Sequence, residues 1–125
     1  PTRKAFSEHV NAIIAPGEAG YFGVLPGHTP FLTSLKIGDV KIEIGDKTKH
    51  YAISGGFAEV YPGGVRILAE TAEQASEIDT ERAKQAKERA ERRIHQGRKE
   101  SDVDRAQLAL TRAMNRLKIA QFLKA

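Results

Sequence analysis

Residues 40–53 read VKIEIGDKTKHYAI, and this stretch decides how the first part of the chain folds. Apolar and charged side chains alternate from Val40 to Ile44, a period of two that is typical of a strand with one buried face. Residues 45–47 then supply a glycine and an aspartate suited to a tight loop, and the apolar run 51–53 predicts a returning strand. The stretch therefore predicts a pair of antiparallel strands.

The same alternation of apolar runs and turn residues extends over residues 1–74. Ten of the eleven glycines and all five prolines lie in this part of the chain. With the pair described above, about seven strands are predicted; the other runs are 9–15, 21–25, 31–35, 57–61 and 65–69. No helical stretch interrupts them, so we expect an antiparallel β-sandwich rather than a parallel sheet.

Residues 75–125 have a different character, with one glycine and no proline. Asp79 suits the N-cap of a first helix that ends near Gly97. Ser101 or Asp102 suits the N-cap of a second helix. A short loop between two amphipathic helices predicts an antiparallel hairpin. The predicted fold is α+β: an antiparallel β-sandwich over residues 1–74, followed by a two-helix hairpin over residues 75–125.

Composition excludes several classes of protein. The chain has 125 residues, a formal charge of +4 and 40% hydrophobic residues, which is too apolar for a long disordered chain. Cysteine is absent, so the chain has no disulfide, thiol nucleophile or cysteine-bound zinc. No apolar stretch approaches the ~20 residues of a membrane span. The sequence opens on Pro1, and we expect that residues preceding it are missing.

Catalysis finds little support in the sequence. The four histidines are scattered, and none has the spacing of a metal-binding pair, so no metal site is predicted. Ser54 is followed by two glycines but lacks the preceding glycine and the following helix of a nucleophile elbow, so we interpret residues 54–56 as a turn. The sequence therefore predicts no catalytic residue.

The basic charge is concentrated in the predicted helices. Residues 75–125 contain 13 Lys and Arg against 8 Asp and Glu, whereas residues 1–74 contain 7 against 8. A basic RNA-binding hairpin on a β-barrel is one interpretation. However, acidic residues are interleaved with the basic ones, and Phe122 is the sole aromatic residue of this part, so no stacking platform is offered. A solvated face of mixed charge, with no nucleic-acid partner, is the favoured interpretation.

Four arginines have a more specific spacing. Arg82 and Arg89 are seven residues apart and share one face of the first helix. Arg112 and Arg116 are four apart and share one face of the second. If these faces converge in the hairpin, a polyphosphate could satisfy the four guanidinium groups through bidentate hydrogen bonds. The alternative is four independently solvated arginines, and spacing alone leaves both open.

The predicted contact between the helices consists mainly of alanine on the first helix, packed against Leu110, Met114 and Leu117 of the second. Burying one CH₂-sized group contributes about 0.8 kcal/mol, so the hairpin should pack closely but hold weakly. Two interpretations follow, a static two-helix appendage and an element that changes between arrangements.

Four segments together resemble the epsilon subunits of F-type ATP synthases. Residues 23–30 (GVLPGHTP) resemble a loop of that family, and residues 54–60 (SGGFAEV) resemble one of its strands. Residues 78–83 (IDTERA) match a motif of members that bind ATP, and residues 109–117 (ALTRAMNRL) are similar to the family's second C-terminal helix. The resemblance covers nearly the whole chain in the same order.

The resemblance implies a non-catalytic subunit of the rotating central stalk. In this family the β-sandwich docks on the gamma subunit and on the ring of c subunits. The helical hairpin changes between a compact form and an extended form that reaches the alpha and beta subunits and inhibits ATP hydrolysis. ATP acts as a regulatory ligand of the compact form, and no cofactor is required. The implied location is peripheral, on the cytoplasmic face of a bacterial plasma membrane.

The resemblance also implies functional residues. The implied ATP-binding residues are Glu73, Ile78, Asp79, Arg82, Ala83, Arg89, Arg112 and Arg116. The implied contacts with gamma and the c-ring are Tyr21, Pro26, Gly27 and His28. Tyr21 stands where relatives often have an acidic residue, and the family's first strand is not present ahead of Pro1.

Overall fold

The computed structural model describes residues 4–6, 11–25, 27, 29–62, 64–97 and 99–123. The chain divides into two compact units, Pro1–Gln74 and Ala75–Ala125. The first contains β-strands and the second contains two α-helices with short 3₁₀ turns. The predicted α+β fold, an antiparallel sheet followed by two helices, is confirmed.

The first unit is built around one antiparallel sheet. Its strands are β1 (Lys4–Phe6), β2 (Ala12–Gly17), β3 (Gly20–Val24), β4 (Phe31–Ile44), β5 (Lys47–Tyr61), β6 (Gly64–Ala69) and β7 (Ala72–Gln74). The strand order is β1-β6-β5-β4-β2-β3, and β7 continues the pairing of β6 along β5. All the pairings among the described strands are antiparallel, as the sequence predicts.

The long strands β4 and β5 differ from the prediction, which divided each of them in two. β4 runs through Gly38 without interruption, and β5 runs through residues 54–56, where the sequence predicts a turn. The reason is that β5 finds a partner on both sides along most of its length, so its backbone groups are satisfied in the sheet. β1 and β7, of three residues each, were not predicted.

The core shows why glycine occurs inside these strands. Leu35 and Val40 of β4 belong to one buried core although they are five residues apart, which would place them on opposite faces of a flat strand. Ile53 and Ala58 of β5 show the same change. Both strands therefore bend near their middle, so that the sheet folds over its own core. At the bend in β5, Gly56 has a φ of +142°, and a Cβ there would collide with the carbonyl oxygen of Leu68.

The second unit is a hairpin of two helices. α1 spans Thr80–Gln96 and α2 spans Glu100–Ala120, with 3₁₀ turns at Ala75–Glu77 and Gln121–Leu123. α1 and α2 pack against each other, and the short connection between them makes them antiparallel. None of the described helices is long and apolar enough to cross a membrane.

The two helix ends that meet at the hairpin turn differ in detail from the prediction. The N-cap of α2 is Lys99, not Ser101 or Asp102, and the Lys99 carbonyl accepts hydrogen bonds from the backbone N–H groups of Asp102 and Val103. Gly97 ends α1 in an extended conformation with φ −64°, so the turn does not use a left-handed residue. Close packing is what favours glycine here, because a Cβ would lie 2.6 Å from Cγ2 of Val103.

Candidate functional site

The start of α1 contains four of the predicted ATP-binding residues. Asp79 is the N-cap, and its carboxylate accepts a 3.1 Å hydrogen bond from the backbone N–H of Arg82, as the sequence predicts. Ile78 and Ala83 are buried, whereas the Arg82 side chain is exposed. The cap fixes the direction in which α1 begins, and thereby fixes Arg82 on the solvent-exposed face of the first turn.

The contact between α1 and α2 is a seam of alanines. Each helix places buried alanines at intervals of seven residues, and we call this set the alanine seam: Ala83 and Ala90 of α1, and Ala106, Ala113 and Ala120 of α2. A repeat of seven keeps these methyl groups on one face of each helix. Small side chains allow the helix axes to approach closely. Met114, which the sequence placed in this contact, is instead 52% exposed, because it lies about 100° around the helix from Ala113.

The predicted arginines lie beside the seam and not in it. Arg82 and Arg89 each precede a seam alanine of α1, and Arg112 precedes one of α2. These three side chains are exposed, and that of Arg116 is half-buried.

An open cleft near the turn shows on which side of the hairpin these arginines lie. Arg93 of α1 lines the cleft together with Arg105 and Arg112 of α2. Arg89 precedes Arg93 by four residues, and Arg116 follows Arg112 by four, so each lies on the same face of its helix as its neighbour. We call the two sets the arginine rows: Arg82, Arg89 and Arg93 on α1, and Arg105, Arg112 and Arg116 on α2. The two rows therefore run along one side of the hairpin.

Two of these residues were missed by the sequence reasoning. Arg93 and Arg105 were not singled out, although Arg89 and Arg93 have the i,i+4 spacing and Arg105 and Arg112 the i,i+7 spacing used for the other arginines. The helical repeat could have found them. Their joint position in one cleft depends on where the turn lies. The sequence predicts the start of α2 at Ser101 or Asp102, whereas the N-cap is Lys99.

Glu73 belongs to the sheet unit. It lies on β7, pairs with Ala52 of β5 and is half-buried. Its predicted role toward ATP stays a prediction.

The predicted contact loop is described in part. Tyr21 lies on β3, is 60% exposed, and its hydroxyl accepts a 3.1 Å hydrogen bond from the backbone N–H of Asp39. Gly27 is exposed with φ +85°. Pro26 and His28 lie outside the described residues. Tyr21 therefore has a structural hydrogen bond, and its role toward a partner stays a prediction.

The described residues offer no group of three or more His, Asp or Glu side chains placed to hold a metal ion. Among the described histidines, His50 has its Nδ1 2.8 Å from Oδ2 of Asp39 on the neighbouring strand. Both side chains are largely buried, so this pair joins β4 and β5 within the sheet.

Comparison with known proteins assigns both parts of the chain to one family. Residues 1–75 match the family model described as the β-sandwich domain of the ATP synthase delta/epsilon chain, and residues 76–121 match its long α-helix domain.

Individual relatives agree with this assignment. The chain is 51% identical to an ATP synthase epsilon chain of Syntrophobacter fumaroxidans, over 97% of this chain and 90% of that protein. It is 46% identical to an ATP synthase epsilon chain of Desulforamulus reducens, over 97% of this chain and 92% of the relative. It also resembles a chain in the cryo-EM structure of the Euglena gracilis mitochondrial ATP synthase OSCP/F1/c-ring, with a TM-score of 0.77 and 34% identity over 86% of this chain and 68% of the other. The chain belongs to the ATP synthase delta/epsilon chain family.

Proposed function

We propose that this chain is a non-catalytic epsilon-type subunit of an ATP synthase central stalk. The single observation that carries the proposal is the alanine seam with the arginine rows along one side. It occurs in a chain that matches ATP synthase epsilon chains over almost the full length of both proteins. In this proposal the sheet unit docks on the gamma subunit and the c-ring, and the helical unit regulates ATP hydrolysis.

The seam supports a hairpin that opens. The buried residues along it are mainly alanines, each methyl group contributing about 0.8 kcal/mol on burial, so the seam itself contributes a few kcal/mol before entropy is subtracted. Opening therefore has a low energetic cost. The opened helices then reach toward the alpha and beta subunits and inhibit hydrolysis.

The arginine rows support ATP as the ligand that favours the closed form. Arg82 and Arg89 of α1 and Arg112 and Arg116 of α2 are donors suited to phosphate oxygens. A ligand that contacts both helices stabilises the hairpin over any arrangement in which the helices separate. Ile78, Asp79 and Ala83 form the start of α1 beside Arg82, and of these the Asp79 carboxylate already accepts a backbone hydrogen bond.

The remaining elements of the proposal concern assembly. Tyr21 of β3, together with Pro26, Gly27 and His28 of the segment that follows, is the proposed contact with gamma and the c-ring. The proposed location is the cytoplasmic face of a bacterial plasma membrane, peripheral to the bilayer and held there by these subunits. No cofactor is required, and ATP acts as a regulatory ligand.

A reversible lock on the hairpin tests this proposal. In a hairpin folded about residue 98, Ala90 lies level with Ala106, and the chain contains no native cysteine. The double variant Ala90→Cys with Ala106→Cys is added, oxidised or reduced, to a bacterial F1 complex stripped of its epsilon subunit. Binding to the complex and the rate of ATP hydrolysis are then measured, and the reduced protein serves as the matched control.

We expect both forms to bind the complex and the reduced form alone to inhibit hydrolysis. Equal inhibition by both forms would show that the hairpin need not open. A failure of the wild-type chain to bind the complex would remove the stalk assignment itself.

A further inference from the structure

The closed end of the hairpin contains a cleft whose lining shares one residue, Arg112, with the proposed ATP-binding residues. Its volume is about 660 Å³, within the usual range of small-molecule sites. Both helices line it: Arg93 and Gln96 come from α1, and Asp102, Arg105, Leu108 and Arg112 come from α2.

The cleft has an excess of positive charge. Three arginines and one acidic residue, Asp102, are among its lining residues, and all four side chains are exposed. Among the described residues, none of the three arginines forms an ion pair with a carboxylate. Like charges in a shared cleft repel each other, and a bound anion relieves that repulsion.

The local backbone holds these groups together. A Cβ on Gly97 would lie 2.6 Å from Val103 Cγ2 and 3.0 Å from the carbonyl oxygen of Arg93, so glycine allows α2 to turn back directly over the end of α1. This tight return places Arg93 of one helix and Arg105 of the other along one opening. The cleft is thus a product of the closed hairpin and is lost if the helices separate.

We propose that this cleft binds a compact diphosphate anion, with inorganic pyrophosphate as the simplest member of the class. A guanidinium group donates two parallel hydrogen bonds to phosphate oxygens, and three such forks match the six terminal oxygens of a diphosphate. Gln96 adds a neutral donor, and Leu108 with Ala109 gives the cleft an apolar wall. Binding bridges α1 and α2 and stabilises the closed hairpin.

The proposed anion site is distinct from the proposed ATP-binding residues. Arg82, Arg89 and Arg116 do not line the cleft, and Arg112 is the one residue shared by the two sets. The inference therefore goes beyond the proposed function and does not depend on it.

Pyrophosphate titration of the full chain tests the proposal. Binding is followed by calorimetry and by ³¹P NMR, without divalent cations, at low ionic strength and again near physiological salt. The variants are Arg93→Gln and Arg105→Gln, and the matched control is Arg92→Gln. Arg92 is exposed on the same helix as Arg93 but lies outside the cleft lining. Its replacement therefore removes the same charge without removing a group from the cleft. Far-UV circular dichroism checks that each variant keeps its helices.

We expect Arg93→Gln and Arg105→Gln each to weaken pyrophosphate binding at least tenfold, the size of a lost charge-assisted interaction, while Arg92→Gln changes it less than twofold. Arg82→Gln should weaken pyrophosphate binding much less than Arg93→Gln does. Binding of pyrophosphate with this pattern supports the cleft even if ATP does not bind.

Three results would overturn the proposal. One is the absence of pyrophosphate binding to the wild-type chain at millimolar concentration. Another is an equal loss in Arg92→Gln and Arg93→Gln, which would indicate a diffuse basic surface of the kind that also attracts RNA. The third is a tenfold loss in Arg82→Gln, which would place the anion at the nucleotide residues instead.

Discussion

The carboxylate of Asp79 accepts a 3.1 Å hydrogen bond from the backbone N–H of Arg82, so one residue of the IDTERA segment is the N-cap of α1. This relationship gives Asp79 a structural role that does not depend on any ligand. It also separates two effects that a substitution at Asp79 would otherwise mix, because asparagine preserves an acceptor for the cap while removing the charge.

We therefore expect Asp79→Ala to destabilise the helical unit by about 1 kcal/mol and Asp79→Asn to have a much smaller effect. The measurement is urea denaturation without nucleotide, followed by far-UV circular dichroism. Equal stability of the alanine variant and the wild type would show that the cap contributes nothing. If Asp79 also contacts ATP through its charge, the asparagine variant loses ATP affinity while keeping its stability.

Gly97 is expected to tolerate no side chain in the closed hairpin. Gly97→Ala introduces a Cβ 2.6 Å from Val103 Cγ2, and such overpacking typically costs about 1–3 kcal/mol. Thermal unfolding of the variant measures the loss. The double variant Gly97→Ala with Val103→Ala is the control, since removing the opposing methyl groups should recover much of the stability. A single variant as stable as the wild type would contradict the close packing at the turn.

Ile119 and Met114 should differ strongly in their contribution to stability. Ile119 is fully buried, and Ile119→Ala should cost about 2–5 kcal/mol. Met114 is 52% exposed, so Met114→Ala should cost less than about 1 kcal/mol. Both variants are compared in one series of urea denaturation curves. Similar losses at the two positions would indicate that Met114 packs in the seam, as the sequence alone suggested.

Tyr21 offers a way to separate structure from partner contact. Tyr21→Phe removes the hydroxyl that accepts the Asp39 backbone N–H, and we expect a loss of about 0.5–1.5 kcal/mol in the stability of the sheet unit. The aromatic surface is kept, so affinity for the stalk should change little. Tyr21→Ala, which removes both, should weaken the two properties together. If the stability of the sheet unit were unchanged in Tyr21→Phe, the hydrogen bond would contribute nothing to it.

The periodicity of the sequence is sufficient to predict both helices, the antiparallel character of the sheet and the cap at Asp79. It fails where a glycine inside an element resembles a break. Gly38 lies between two predicted strands, and Gly56 lies in a predicted turn, yet both are within long strands that bend around the core. Local composition does not show that a neighbouring strand continues to satisfy the backbone beyond the glycine.

The candidate site was predictable within each helix but not between the helices. Spacing within one helix identified Arg82 with Arg89 and Arg112 with Arg116. The register between the helices decides which arginines share a cleft, and that register is set by the alanine seam and by Gly97 at the turn. Arg93 and Arg105 became apparent from the packed hairpin, because neither helix by itself indicates how they meet.

The claim that ATP stabilises the closed hairpin is tested most directly by thermal unfolding of the full chain with and without about 1 mM ATP, with GTP as the control nucleotide. A ligand present at 100 times its Kd adds about 2.7 kcal/mol if it binds only the folded form. We predict an ATP-selective rise in Tm that is lost in Arg89→Gln and kept in the matched variant Arg92→Gln. An unchanged Tm with ATP, or an equal rise with GTP and in both variants, would contradict the account.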